Sequence, residues 1–122
     1  MRKRLLIVED SELNRELLVQ IFESSYDLDV AVDGKAAVQA ATTSRPDLIL
    51  MDIDLPGMSG LDAVRAIRAN ERGAGTPIVA VSSHVMPGDR ERALEAGCNE
   101  FVAKPIDDEA LVALVRRLLE EQ

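Results

Sequence analysis

A chain of 122 residues, 47% apolar, has the length of one ordinary domain, enough to bury roughly two-thirds of its unfolded surface in a single core. Its net charge of −8 disfavours non-specific binding to nucleic acid or anionic membrane, and the run Leu5 to Val8 between Arg4 and Glu9 is too short for a signal peptide or a membrane span. A single cysteine leaves no internal disulfide to form, so a cytoplasmic protein without membrane insertion, working on other proteins, is expected.

The first predicted strand is Leu5 to Val8, closed by Glu9-Asp10. Ser11 to Ser24 follows as a helix, with Leu13, Leu17 and Ile21 at the spacing of a stripe that packs on the sheet. A weaker strand spans Leu28 to Val32, and Asp33 caps an Ala-rich helix reaching about Ser44, where Ala36, Ala37, Ala40 and Ala41 permit close packing. Leu48 to Asp52 is an unbroken apolar run ending in a carboxylate, the pattern of a strand buried on both faces. Pro56-Gly57 supplies a tight turn with positive φ at the glycine, and Ser59 caps a helix from Gly60 with Val64 and Ile67 inward. Ile78 to Val81 is a fourth strand, Pro87 to Ala96 a more polar helix ended by Gly97, and Glu100 to Ala103 a last strand. After Lys104-Pro105 a helix runs from Asp107 to about Glu121, with Leu111, Leu114, Val115 and Leu118 on one face.

Strict alternation of strand and helix predicts one α/β domain over residues 1–122, a (βα)5 doubly wound parallel sheet with helices on both faces, which can take the flavodoxin-like order 2-1-3-4-5. That order makes the first and third strands neighbours, so Glu9, Asp10 and Asp52 meet at the carboxyl ends of the sheet, with Ser82 and Lys104 ending the next two strands. Carboxylates about 4 Å apart repel by about 4 kcal/mol per pair at an effective dielectric near 20 and need cations to stay ionised. Mg²⁺, which takes one or two carboxylates and keeps several waters, suits the acids, and Lys104 offers a compact charge for a phosphoryl group. With metal and lysine as electrophiles, Asp52 is the nucleophile candidate for phosphoryl transfer, Glu9 and Asp10 fit a metal-holding role, and the Ser82 hydroxyl can bond a phosphorylated Asp52. Glu9-Asp10 can equally cap the first helix, Ser82 and Ser83 can simply satisfy backbone groups, and Phe101 is by default a core residue. Cys98 beside Gly97 reads as a small packed residue. His84 lies two residues after Ser82 as Asp54 lies two after Asp52, and both are expected to flank the pocket mouth and tune how water reaches an acyl phosphate.

Glu9-Asp10, Leu50-Met51-Asp52 followed by Leu55-Pro56-Gly57-Met58-Ser59-Gly60, Ser82, and Lys104-Pro105 together resemble the receiver domain of two-component response regulators, and essentially the whole chain takes part. Leu6-Ile7-Val8-Glu9-Asp10 with Glu12-Leu13-Asn14, and Gly97-Cys98 before Lys104-Pro105-Ile106, are most similar to stand-alone, CheY-like receivers of the DivK type. The resemblance implies that Asp52 takes phosphate from a phosphohistidine on a sensor histidine kinase or histidine phosphotransfer protein. Mg²⁺ would be held by Asp10, Asp52 and the backbone carbonyl of Asp54, with Glu9 acting through water. Lys104 would bind the phosphoryl group through a loop set by a cis peptide before Pro105, and Ser82 with Phe101 would form the switch pair. Ser82 stands where the family often has Thr, and Phe101 where Tyr is common. The output surface for a downstream protein target would be the helix after Pro87, the last strand and the last helix, in a monomer or weak dimer whose only catalysis is its own phosphorylation and dephosphorylation.

Two rivals share parts of this pattern. Asp52-Ile53-Asp54 resembles the Asp-x-Asp of haloacid-dehalogenase-type phosphatases, although Pro56 occupies the place where those have Thr or Val. An FMN binder shares the sheet order, but Glu9-Asp10 would repel its phosphate. The closing Glu120-Glu121-Gln122 suits a natural end, the alternative being a receiver cut from a larger regulator.

Overall fold

The computed structural model describes residues 2–70, 73–83 and 85–120. Ten elements alternate: β1 (Arg4–Val8), α1 (Glu12–Phe22), β2 (Asp27–Ala31), α2 (Gly34–Thr43), β3 (Leu48–Asp52), α3 (Gly60–Ala69), β4 (Ile78–Ser82), α4 (Asp89–Ala96), β5 (Glu100–Ala103) and α5 (Asp108–Glu120). The strands form one parallel sheet in the order β2-β1-β3-β4-β5. The expected α/β architecture is therefore the observed one, and the strand bounds differ from expectation by a residue or so. The expected helix end at Glu121 falls outside the described residues.

Because side chains alternate across a strand, each buried strand feeds two cores. Leu5, Ile7, Leu48, Leu50 and Val79 point to the side of α1 and α5, where they meet Leu18, Phe22, Leu111 and Val115. Leu6, Val8, Ile49, Met51 and Ala80 face α2, α3 and α4 through small residues such as Ala37, Ala63 and Ala93. Alanines on those three helices let them lie close to the sheet. Side-chain caps start the helices as expected: Asp33 accepts from the Ala36 amide at 2.8 Å and Ser59 from the Asp62 amide at 3.2 Å.

Two expectations need correction. The stripe Leu13-Leu17-Ile21 meets the core only through half-buried Ile21: Leu13 is 67% and Leu17 50% exposed, and Leu18 and Phe22 are buried in their place. Leu17, Leu18, Ile21 and Phe22 make an apolar arc that can be rotated either way, and burying Phe22, whose ring lies 6.0 Å from that of Tyr26, removes the most apolar area from water. The second correction concerns α4, which begins at Asp89 and not at Pro87. Gly88, with φ of 87°, takes the N-cap position in a left-handed conformation that ends the Pro87-Gly88 turn.

The end of the sheet opposite the carboxylates is tied by Arg68. Its guanidinium donates to the carbonyls of Gly97 (2.9 Å), Gly73 (2.7 Å) and Thr76 and to Asn99 Oδ1 (2.9 Å), which also accepts the Ile78 amide at 2.9 Å. One planar fork thus joins α3 to the segments that lead into β4 and β5. Arg68→Ala should strand several carbonyls and lower unfolding free energy by about 2–3 kcal/mol, and Arg68→Lys, a point charge without the fork, should recover less than half of that. Urea unfolding of the three proteins checks this; equal stabilities would deny Arg68 the role.

Candidate functional site

Residues at the carboxyl ends of β1, β3, β4 and β5 converge because the parallel register brings those ends level: Val8 pairs with Met51, Asp52 with Val81, and Ser82 with Ala103. Asp52 is the last residue of β3, and the Ile53 amide continues the ladder to the Val81 carbonyl at 3.0 Å. The chain then turns back through Gly57, whose φ of 72° is the expected positive value. Gly60 returns so close to β3 that a Cβ there would lie 2.4 Å from the Ile53 Cα and 2.5 Å from the Asp52 carbonyl oxygen. Only glycine permits that approach, which holds the loop beside Asp52.

Glu9, Asp10 and Asp52 each place a carboxylate oxygen within 4.8 Å of the others, Glu9 and Asp52 buried and Asp10 exposed. The first-helix cap is Ser11, which accepts from the Asn14 amide at 3.4 Å, so Asp10 is not the capping residue. Lys104 lies opposite, its Nζ 2.7 Å from Glu9 Oε1 and 3.7 Å from Asp52 Oδ2. The ammonium therefore bonds Glu9 more closely than Asp52. A cis peptide joins it to Pro105, as the resemblance implied.

The electrostatics follow from burial and pairing. Burial pushes the Asp52 carboxyl up, a hydrogen bond with Glu9 adds to this, and the Asp54 amide on Oδ1 at 2.8 Å only partly opposes it, leaving a pKa of about 7. Burial also works against ionised Glu9, but hydrogen bonds from Asp52, Lys104 and the Ser11 amide outweigh it and hold Glu9 below the usual carboxylate range. For Lys104, burial disfavours the charge, and the bond to Glu9 with the charge of Asp52 overcomes it, so its pKa is raised. Two buried carboxyls side by side with an exposed third are an oxygen-rich cradle short of positive charge, a donor set that fits a hard divalent cation.

Asp54, which the resemblance implies as a metal ligand through its backbone carbonyl, turns its side chain towards the end of β4. Its Oδ2 accepts from Ser82 Oγ at 3.2 Å, the Ser83 amide at 2.9 Å and Ser83 Oγ at 3.1 Å. This link was not legible beforehand, although the pairing of Asp52 with Val81 puts the residues that follow each of them side by side. Phe101 is half-buried against the α2–α3–α4 core and pairs with Ala80, two residues short of the Ser82–Ala103 pair. His84 lies outside the described residues. Cys98 is buried, and burial raises its thiol to about 11, as suits a packing residue.

The response regulator receiver domain model matches residues 5–116. The chain belongs to the response regulator receiver domain family. It is 37% identical over 120 residues to the polar-differentiation response regulator DivK of Brucella anthropi, covering 98% of both chains, and equally so to that of Brucella ovis. Among solved structures it is similar to the receiver domain of a Pseudomonas aeruginosa sensor histidine kinase, crystallised with a magnesium ion coordinated in the active-site cleft, at 36% identity and a TM-score of 0.91 over 98% of this chain and 99% of that one. Vibrio cholerae chemotaxis protein CheY4 matches at 26% identity and a TM-score of 0.90, over 97% and 99%. Receiver domains of two-component systems act in phosphorylation-dependent signalling, and matches along nearly the whole chain leave the haloacid-dehalogenase-type reading without support. No helix among the described residues is long and apolar enough to cross a membrane.

The raised pKa of Asp52 has a stability consequence. A folded value of about 7 against an ordinary 3.8 means that the folded receiver keeps a proton which the unfolded chain has lost, so this residue's contribution falls as pH rises from about 4 through 7. In EDTA at pH 8, Asp52→Asn should be more stable than the parent by on the order of a few kcal/mol, the gap closing towards pH 4. Mg²⁺ should stabilise the parent and much less the variant. Thermal melts at both pH values check this; a gap that does not change with pH would contradict it.

Proposed function

We propose that residues 1–122 act as one receiver unit in which Asp52 accepts a phosphoryl group from the phosphohistidine of a sensor histidine kinase or histidine phosphotransfer protein. The observation that carries this reading is the convergence of Glu9, Asp10 and Asp52 on one point with Lys104 opposite. Asp10, Asp52 and the Asp54 backbone carbonyl would hold Mg²⁺, with Glu9 acting through water. Such an ion would supply positive charge to the phosphoryl oxygens. An Asp52 carboxylate oxygen forms the new O–P bond as the N–P bond of the donor breaks, the imidazole nitrogen keeping the electron pair. The Asp54 amide on Oδ1 holds the carboxylate in place, and Lys104, within 3.7 Å of Oδ2, shifts its charge from Glu9 towards the arriving phosphoryl.

The donor must bring its histidine to this end of the sheet. A groove of about 510 Å³ lies there between α1 and the start of α5, lined by Leu17, Ile21, Lys104, Pro105 and Ile106. The exposed Leu13 and Leu17 of α1 extend it as an apolar rim, which suits a helical donor. Ser82 and Phe101 form the switch pair, and Asp54 and His84 tune hydrolysis of the acyl phosphate. The output surface is α4, β5 and α5, read by a downstream protein in the cytoplasm. The unit is a monomer or weak dimer and catalyses only its own phosphorylation and dephosphorylation.

Incubation with acetyl phosphate should add one phosphoryl group, detected by intact mass and located on Asp52, in the presence of Mg²⁺ and not of EDTA. Asp52→Asn should abolish the adduct, and Lys104→Ala should lower its yield at least tenfold. An undiminished adduct in Asp52→Asn would move the acceptor elsewhere.

A further inference from the structure

Ser82 is fully buried at the end of β4, and the Lys104 amide donates to its carbonyl at 2.8 Å. That bond pins the backbone of Ser82 to β5, so its hydroxyl is the part that can change partner, by rotation about χ1. The hydroxyl donates to Asp54 Oδ2 at 3.2 Å, and the same oxygen accepts the Ser83 amide at 2.9 Å and the Ser83 hydroxyl at 3.1 Å. Asp54 also gives its own amide to Asp52 Oδ1 at 2.8 Å. One residue thus touches the acceptor with its main chain and, with its carboxylate, the last residue of β4 and the first residue of the β4–α4 connection. Hydrogen bonds to an ionised carboxylate are the stronger kind, and an Asp54 oxygen taking three of them orders Ser82 and Ser83 around itself.

We propose that Asp54 is the latch of the unphosphorylated state: its carboxylate holds the Ser82 hydroxyl and Ser83 on its own side, and a phosphoryl group on Asp52 must take Ser82 from it before the β4–α4 connection can move. The inference rests on Asp52 being the acceptor. A phosphoryl group brings three acceptor oxygens and about −1.5 to −2 of charge to a point next to the Asp54 amide. It competes with the Asp54 carboxylate for one donor and repels that carboxylate at the same time, so both effects open the latch. The strength of the latch then sets how far phosphorylation shifts the equilibrium, because a ligand moves two states only by the difference in its interactions with them. The Asp54 side chain is therefore a positioning group for the switch, acting through Ser82.

Beryllofluoride, a phosphoryl mimic, measures this directly when titrated at saturating Mg²⁺ and followed by the amide resonances of Asp52 and Ser83. Asp54→Ala should bind it about tenfold more tightly than the parent, the size of one hydroxyl-to-carboxylate hydrogen bond. Asp54→Asn, whose amide oxygen still accepts, should gain less. In a Ser82→Ala background the gain from Asp54→Ala should vanish, since no hydroxyl remains to be released, and in unmodified protein the Ser83 amide should exchange with solvent faster in Asp54→Ala than in the parent. An equal gain in both backgrounds would mean that Asp54 acts only through its charge, and no gain in the Ser82 protein would mean that it restrains nothing; either result overturns the latch. Failure of the acceptor assignment reads differently: acetyl phosphate would then leave Asp52 of the parent unmodified, and the latch would fall with it.

Discussion

Glu9 and Asp52 are buried side by side at the ends of neighbouring strands, with the exposed carboxylate of Asp10 close enough to share a ligand, and that placement constrains everything around it. Carboxylates removed from water repel one another and each resists ionisation, so the fold must supply positive charge at that spot. Lys104 supplies part of it by reaching across from the end of β5 to Glu9 and Asp52. The remaining deficit appears as the raised pKa of Asp52 and leaves an opening for a divalent ion and for a group that carries its own oxygens. A site short of positive charge fits the proposed roles of a cation and a phosphoryl group there.

The rest of the sheet serves this end by staying rigid and plain. Its interior is almost wholly aliphatic, with alternate side chains of each strand committed to opposite helix layers, so no strand can slip by one residue without exchanging its two cores. Arg68 secures β4 and β5 at the far end, and the close return of Gly60 secures the loop after Asp52. Against that frame, the polar link of Asp54 to Ser82 and Ser83 can be exchanged without disturbing packing, which concentrates the response to phosphate in one connection.

Much of this was legible in the chain before its structure. Leu48 to Asp52 announces a two-sided buried strand ending in acid, and strict alternation of elements allows the order, seen in the structure, that brings Glu9 and Asp10 to it. Caps such as Asp33 and Ser59 are local chemistry and were readable as such. The orientation of α1 was not, because Leu17, Leu18, Ile21 and Phe22 form a continuous arc and tertiary packing alone decides which half is buried. The start of α4 depended on the left-handed conformation of Gly88, one of several that glycine accepts. The carboxylate of Asp54 was expected at the mouth of the pocket, but its partners depend on how two loops from adjacent strands meet, a relation that no spacing within either loop encodes.

The central claim is that acids from β1 and β3 share one divalent ion. Anomalous diffraction from crystals of the protein grown with Mn²⁺ in place of Mg²⁺ tests it most directly. The account predicts a single strong peak within bonding distance, about 2.2 Å, of carboxylate oxygens of both Asp10 and Asp52. A peak elsewhere on the surface, or none at this cluster at millimolar Mn²⁺, would contradict it.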